Sequence, residues 1–146
     1  MEILPHIWIS YYNDNITNII KKKNIELIIH LSSTNNYVKK NNLEQIRIPI
    51  DYEEDTTYED KNNTMYNILF DITDFMHEKI SKNKKILLIG IYDKQDIDTI
   101  IIAYLIRYAK LNINNSIIYL NTKKENIFYP KFLFYDAINK FFNHFK

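Results

Sequence analysis

Lys85-Ile86-Leu87-Leu88-Ile89-Gly90-Ile91-Tyr92-Asp93-Lys94-Gln95-Asp96-Ile97 is the stretch that decides the fold. Lys85 to Ile89 is the most strand-like segment of the chain, and it stops at Gly90, the single glycine. A short polar loop, Gly90 to Asp96, follows. Ile97 to Leu111 then reads as a buried helix, apolar almost all round. A strand, a short loop and the N-terminus of a buried helix make a good anion cradle, because the first N–H groups and the helix dipole favour negative charge. In parallel sheets ligands bind beyond the C-terminal ends of the strands, which is where this loop lies.

Upstream, Ile7-Trp8-Ile9 follows Pro5 and reads as an edge strand. Asn13 to Lys23 has the pattern of a short helix, with Asn13 or Asp14 as cap and Ile16, Ile19 and Ile20 on one face. Ile25 to Leu31 is nearly continuous apolar, as in a strand covered on both faces. Gln45 to Ile50 alternates, placing Ile46, Ile48 and Ile50 inward. Asp51 to Asn63 is polar and acidic and reads as a loop. From Met65 to Ile80 apolar residues recur at offsets of three and four, marking an amphipathic helix. Ser116 to Asn121 reads as a shorter helix. Pro130 is expected to open a last one, with Phe134, Ile138, Phe141, Phe142 and Phe145 along one side. Strands alternating with helices predict a single α/β domain over residues 1–146, with a mainly parallel central sheet flanked by helices.

The 146 residues are 46% hydrophobic, enough for a core, and the formal net charge of +1 asks for neither nucleic acid nor a membrane surface. The lysines of Lys21 to Lys23 and Lys82 to Lys85 fall between periodic segments and read as solvated charge. No cysteine is present, which excludes disulfides and thiolate ligands and fits a cytoplasmic or nuclear protein. Met1 to His6 lacks the basic and apolar regions of a signal peptide. The longest apolar run, Ile100 to Ile106, is far below the roughly 20 residues that span a bilayer. Heavy use of Ile, Asn, Lys and Tyr is what an A/T-rich genome encodes, as in some large DNA viruses and intracellular parasites. That bias speaks to origin, not chemistry.

The loop after Ile89 resembles the signature loop of the dual-specificity protein phosphatases. Their pattern is H-C-x-x-G-x-x-R after a strand, followed by a helix reading roughly A-Y-L-M. Anchored on Ala103-Tyr104-Leu105-Ile106, the match needs no gap. Ile89 then stands at the histidine position, Gly90 at the nucleophilic cysteine, Asp93 at the loop glycine and Asp96 at the phosphate-binding arginine. Leu4 to Ser10 is similar to the family's opening strand, and Ile25 to Ser33 to its strand ending in Asn-Leu-Ser. Ile48-Pro49-Ile50-Asp51 is similar to its Ile-Pro-x-x-Asp strand, and Tyr129-Pro130-Lys131-Phe132 to the Pro-x-Phe that opens its closing helix. The resemblance covers most of the chain and implies a dual-specificity-phosphatase-like fold.

The departures bear on function. The family's reaction needs a thiolate to attack phosphorus, and Gly90 has no side chain. The family's arginine binds phosphate through two parallel hydrogen bonds, where Asp96 presents a carboxylate. At roughly 5 Å and an effective dielectric near 20, each like-charge pair costs about 3 kcal/mol. Asp93 and Asp98 are expected to add to that, so phosphate or phosphopeptide binding is not expected. The family's general-acid aspartate falls in the loop after Pro49, where Asp51, Asp55 and Asp60 are all candidates. Glycine at the cysteine position is shared with STYX-type pseudophosphatases, which generally keep the arginine that is lost here. Read for structure alone, Asp96 caps the helix beginning near Ile97, and Asp98 complements its dipole. The protein's own carboxylates then take the place of a substrate phosphate, and Gly90 serves a tight bend that needs an unusual φ.

The leading reading is a catalytically inactive phosphatase-like domain: a pseudophosphatase, not an enzyme, with no cofactor and no metal. It is expected to act as a protein-binding scaffold or as a subunit of a larger assembly. Asp51, Asp55, Tyr92, Phe128 and Tyr129 are the residues expected to meet the protein partner, with exposed aromatic rings as anchors. A second reading is a metal- or carboxylate-dependent hydrolase in the same cleft, with Asp51, Glu53, Glu54, Asp55, Asp93 and Asp96 as oxygen ligands for Mg²⁺ or Ca²⁺. A third is a phosphopeptide-binding module. His6, His30, His77 and His144 lack metal-ligand spacing, and His30 and His77 read as structural. Ser32 and Ser33 follow a strand, but nothing marks a catalytic triad.

Overall fold

Strands β1 (Glu2–Leu4), β2 (Ile7–Tyr11), β3 (Leu27–His30), β4 (Glu44–Arg47) and β5 (Ile86–Gly90) form one sheet in the order β1-β2-β5-β3-β4. The structure is a computed structural model and describes residues 1–12, 14–32, 37–50, 55–91 and 94–146. β5 pairs in parallel with β2 and with β3, and β3 pairs in parallel with β4; β1 runs antiparallel to β2. The sheet is therefore mixed and mainly parallel, as the alternation of strands and helices predicts. Ile7 to Ile9 is not at the edge, however. Glu2–Leu4 turns back through His6, at φ 71°, and pairs with it, so β1 takes the edge instead.

The chain forms two compact units, Met1–Asp51 with Phe75–Ile97 and Tyr52–Asp74 with Asp98–Lys146. The first holds the whole sheet and helix α1 (Ile16–Lys23). Asp14 does not cap α1. Asn13 lies outside the described residues, and Asp14 accepts hydrogen bonds from Ser10 Oγ (2.9 Å) and Tyr11 N–H (3.1 Å), closing the turn before the helix. Asn15 is the cap, its Oδ1 accepting from Asn18 N–H at 3.2 Å. Lys21, Lys22 and Lys23 sit in the last turn, where the helix dipole favours positive charge. Ile20 is buried among Trp8, Ile25, Ile28, Leu87 and Ile89, with Ile16 and Ile19 packed beside it.

All of β3 and β5 is buried, which is why both read as continuous apolar runs. β4 is the other edge, and there the expected alternation weakens. Ile46 and Ile48 are only half-buried, and of the three isoleucines expected inward Ile50 alone is fully covered.

Helix α2 runs Tyr58–Ser81, so residues 58–63 of the expected acidic loop are helical. Thr57 Oγ accepts from Asp60 N–H at 3.1 Å, and Glu59 and Asp60 complement the dipole in the first turn. Thr-x-x-Asp is a helix-start signal that polarity alone hides. Met65, Leu69, Ile72 and Met76 form the buried stripe. Helix α3 runs Asp96–Tyr108, ending three residues before the expected Leu111 where Lys110 turns left-handed at φ 59°. Helix α4 (Ile113–Asn121) starts three residues early because Asn112 Oδ1 accepts from Asn115 N–H at 2.8 Å.

Helix α5 (Tyr135–Phe145) opens five residues later than Pro130 suggested. Its own flanking residue, Phe134, supplies no side-chain cap. The buried Asn62 of α2 does so instead, with Oδ1 accepting from Ala137 N–H (2.9 Å) and Nδ2 donating to Leu133 O (3.0 Å). A helix start set by a residue 75 positions away in sequence leaves no local signal. Among the described residues no helix is long and apolar enough to cross a membrane.

Candidate functional site

Parallel pairing sets Ser10, Ile89, His30 and Arg47 in one row across the C-terminal ends of the strands, with Tyr11 and Gly90 in the next row. The loop expected to carry the site leaves the sheet there. Side chains alternate along each strand, so the two rows face opposite sides. Ile89 points into the cluster under α1, while Gly90 faces Ile97 and Leu31.

Gly90 is buried and has no positive φ, so the expected unusual bend is not what it provides. Its lack of a side chain matters for space. A β-carbon on residue 90 would lie 3.1 Å from both Cγ1 and Cδ1 of Ile97 and 3.8 Å from Leu31 Cβ. Ile97, 3% exposed, thus occupies the volume beside the position that resemblance gives to a cysteine.

Between them, Lys94 N–H donates to Ile91 O at 3.3 Å, and Gln95 takes a left-handed φ of 62°. Asp96 is the first residue of α3 and is only 3% exposed. Asp98, two residues on, has its charge balanced: Lys124 Nζ meets Asp98 Oδ1 at 2.7 Å, both side chains mostly buried. It does not add to the repulsion expected at the loop.

The remaining expected residues fall in different places. Tyr92, Asp93, Asp51, Glu53, Glu54 and Ser33 lie outside the described residues. Asp55 is exposed ahead of α2, and Asp60 is inside that helix's first turn. Phe128 is 8% exposed, its ring stacked on Phe132 at 3.7 Å between centroids, so it is not presented to a partner. Tyr129 is 76% exposed. Among the described residues no group of three or more His, Asp or Glu side chains could hold a metal ion.

A polar network at the end of β3 escaped sequence reasoning. His30, 1% exposed, has Nδ1 3.1 Å from Tyr12 Oη and Nε2 2.9 Å from Gln45 Oε1. Gln45 is oriented by the backbone of Val38, accepting from its N–H (2.9 Å) and donating to its carbonyl (2.7 Å). With Gln45 Oε1 fixed as an acceptor, His30 donates from Nε2, and in the neutral imidazole that burial favours Nδ1 accepts from the Tyr12 hydroxyl. Burial pushes its pKa below the usual value and the Arg47 charge adds to this, against the hydrogen bond to Gln45. Tyr37 stacks on the His30 ring at 5.0 Å and lies under the Arg47 guanidinium at 5.0 Å, which also donates to Ser32 O at 2.6 Å.

No known family's sequence profile matches the chain, and no curated protein matches it. Its fold is nonetheless shared with solved structures. Human DUSP28 superposes with a TM-score of 0.79 at 11% identity, covering 98% of this chain and 95% of that one. The human tyrosine phosphatase-like serine/threonine/tyrosine-interacting protein gives 0.77 at 13% identity, covering 99% and 95%. Tk-PTP in the active form gives 0.74 at 14% identity, covering 97% and 95%. The chain has the dual-specificity-phosphatase-like α/β fold. That likeness corrects the expectation that it is no enzyme, since the shared fold includes a phosphatase in its active form. What the sequence removes is narrower: one nucleophile, the cysteine thiolate.

Proposed function

We propose that this chain is a protein-binding module on a dual-specificity-phosphatase-like fold, serving as a scaffold or as a subunit of a larger assembly. The observation that carries this reading is the end of β5, where Gly90 stands at the nucleophile position and Ile97 fills the space beside it. Phosphoryl transfer through a thiolate has no sulfur to begin from, because the chain contains no cysteine. Asp96 puts a buried carboxylate at the position of the family's guanidinium. At roughly 5 Å from a phosphate oxygen it would cost about 3 kcal/mol per like-charge pair, which argues against capture of a phosphopeptide. The likeness to the human serine/threonine/tyrosine-interacting protein supports a role exercised through interaction. Asp55 and Tyr129 are the contact residues whose exposure suits that role.

Affinity capture with the full chain, from cells that make it, tests the reading. One protein recovered in a fixed stoichiometric ratio, and co-migrating with the chain in the native extract, is the expected result. A chain that migrates alone in that extract at its native concentration contradicts it.

A further inference from the structure

Between α4 and α5 the backbone twice adopts the left-handed region, at Asn126 (φ 56°) and Phe128 (φ 61°). For a residue as bulky as phenylalanine that conformation is unfavourable, and such strain recurs at binding sites. The Phe128 ring turns inward onto Phe132, and the next side chain, Tyr129, is left 76% exposed. Asn121 and residues 125–130 line an open surface depression of about 460 Å³.

The charge in that lining is a single carboxylate, Glu125, which is in no ion pair among the described residues. The neighbouring lysines are engaged elsewhere. Lys124 is bound to Asp98 at 2.7 Å, Lys123 lies over the Tyr119 ring at 5.9 Å, and Lys131 over the Tyr58 ring at 5.4 Å. The lining of the depression therefore includes a carboxylate residue, an exposed tyrosine and two asparagines, Asn121 and Asn126, with no cationic residue among them.

We infer that this depression binds an arginine side chain of a protein partner, an assignment that rests on the protein-binding reading above and names its chemistry. A guanidinium is planar, stacks on an aromatic face and pairs with a carboxylate through two N–H groups, which a lysine ammonium cannot do. Glu125 takes the fork, Tyr129 the face, and the asparagine carbonyls the remaining donors.

The test is a titration of the isotope-labelled full chain with N-acetyl-arginine amide, against N-acetyl-citrulline amide, the neutral isostere. Saturable amide shifts centred on residues 121–129 are expected for arginine, with binding to citrulline weaker by roughly tenfold or more. Glu125→Gln and Tyr129→Ala, both at exposed side chains, should each weaken the arginine response. No shift at these residues, an equal response to citrulline, or a response unchanged by Glu125→Gln overturns the assignment. Partner capture tests the broader reading separately: a stoichiometric partner held without arginine binding sinks this inference alone.

Discussion

Ile97 and Gly90 are a matched pair, with the γ1 and δ1 carbons of the isoleucine standing 3.1 Å from where a β-carbon on residue 90 would be. A β-carbon at 90 requires Ile97, itself packed in the interior, to give by a few tenths of an ångström. Gly90→Ala should therefore destabilise the fold by about 1–2 kcal/mol, the usual scale of overpacking less the backbone entropy recovered from glycine. In an Ile97→Ala background the same change should cost at least about 1 kcal/mol less, because both crowding carbons are gone. Chemical denaturation of the four proteins gives the coupling. Additive effects would show that the two residues do not share this space.

The His30 network predicts the direction of a pH dependence. The folded state holds the imidazole neutral, with its pKa pushed down by burial. Between the folded value and the unfolded value of about 6.5 the unfolded chain binds the extra proton, so stability rises with pH there. The contribution is fully present above the unfolded pKa and is lost as pH falls through the folded one. Denaturation midpoints measured from about pH 7.5 down to about pH 5 should fall more steeply for the native chain than for His30→Gln. Parallel curves would remove His30 from the account. The comparison with the variant separates His30 from His6, His77 and His144.

The Asp98–Lys124 pair is mostly buried, and its two members should not be interchangeable with a single deletion. Lys124→Met leaves a carboxylate without its cation in the interior and should cost about 3 kcal/mol or more. Adding Asp98→Asn removes that charge and should recover much of the loss, leaving chiefly a helix-dipole deficit of about 0.3–1 kcal/mol. Thermal unfolding of the single and double variants tests it. A double variant no better than Lys124→Met would mean that the charge is not what matters.

How much of this was legible in the sequence depended on the distance over which each decision was made. β3 and β5 announced themselves because continuous apolar runs from Ile25 and Ile86 have few other uses in a chain of this size. The loop's resemblance to the phosphatases rests on the spacing from Gly90 to Ala103; in the structure β5 ends at Gly90 and α3 begins at Asp96. Local chemistry was present but passed over at Thr57, whose hydroxyl starts α2 inside a stretch that polarity marked as loop. The start of α5 was not legible at all, since Asn62 supplies the cap from another helix. The same holds for the reason behind Gly90. A glycine ending a strand suggests a bend, and only the position of Ile97 shows that it answers to crowding. Phe128 and Tyr129 are chemically alike in sequence, and only the structure shows that one ring is buried on Phe132 and the other exposed.

We propose that the end of β5 is built for packing and not for holding a phosphate. Titrating the isotope-labelled full chain with inorganic phosphate, while following the backbone amides of Gly90, Asp96 and Ile97, tests it most directly. No saturable shift at these amides is predicted. Saturable binding centred on them would contradict the account.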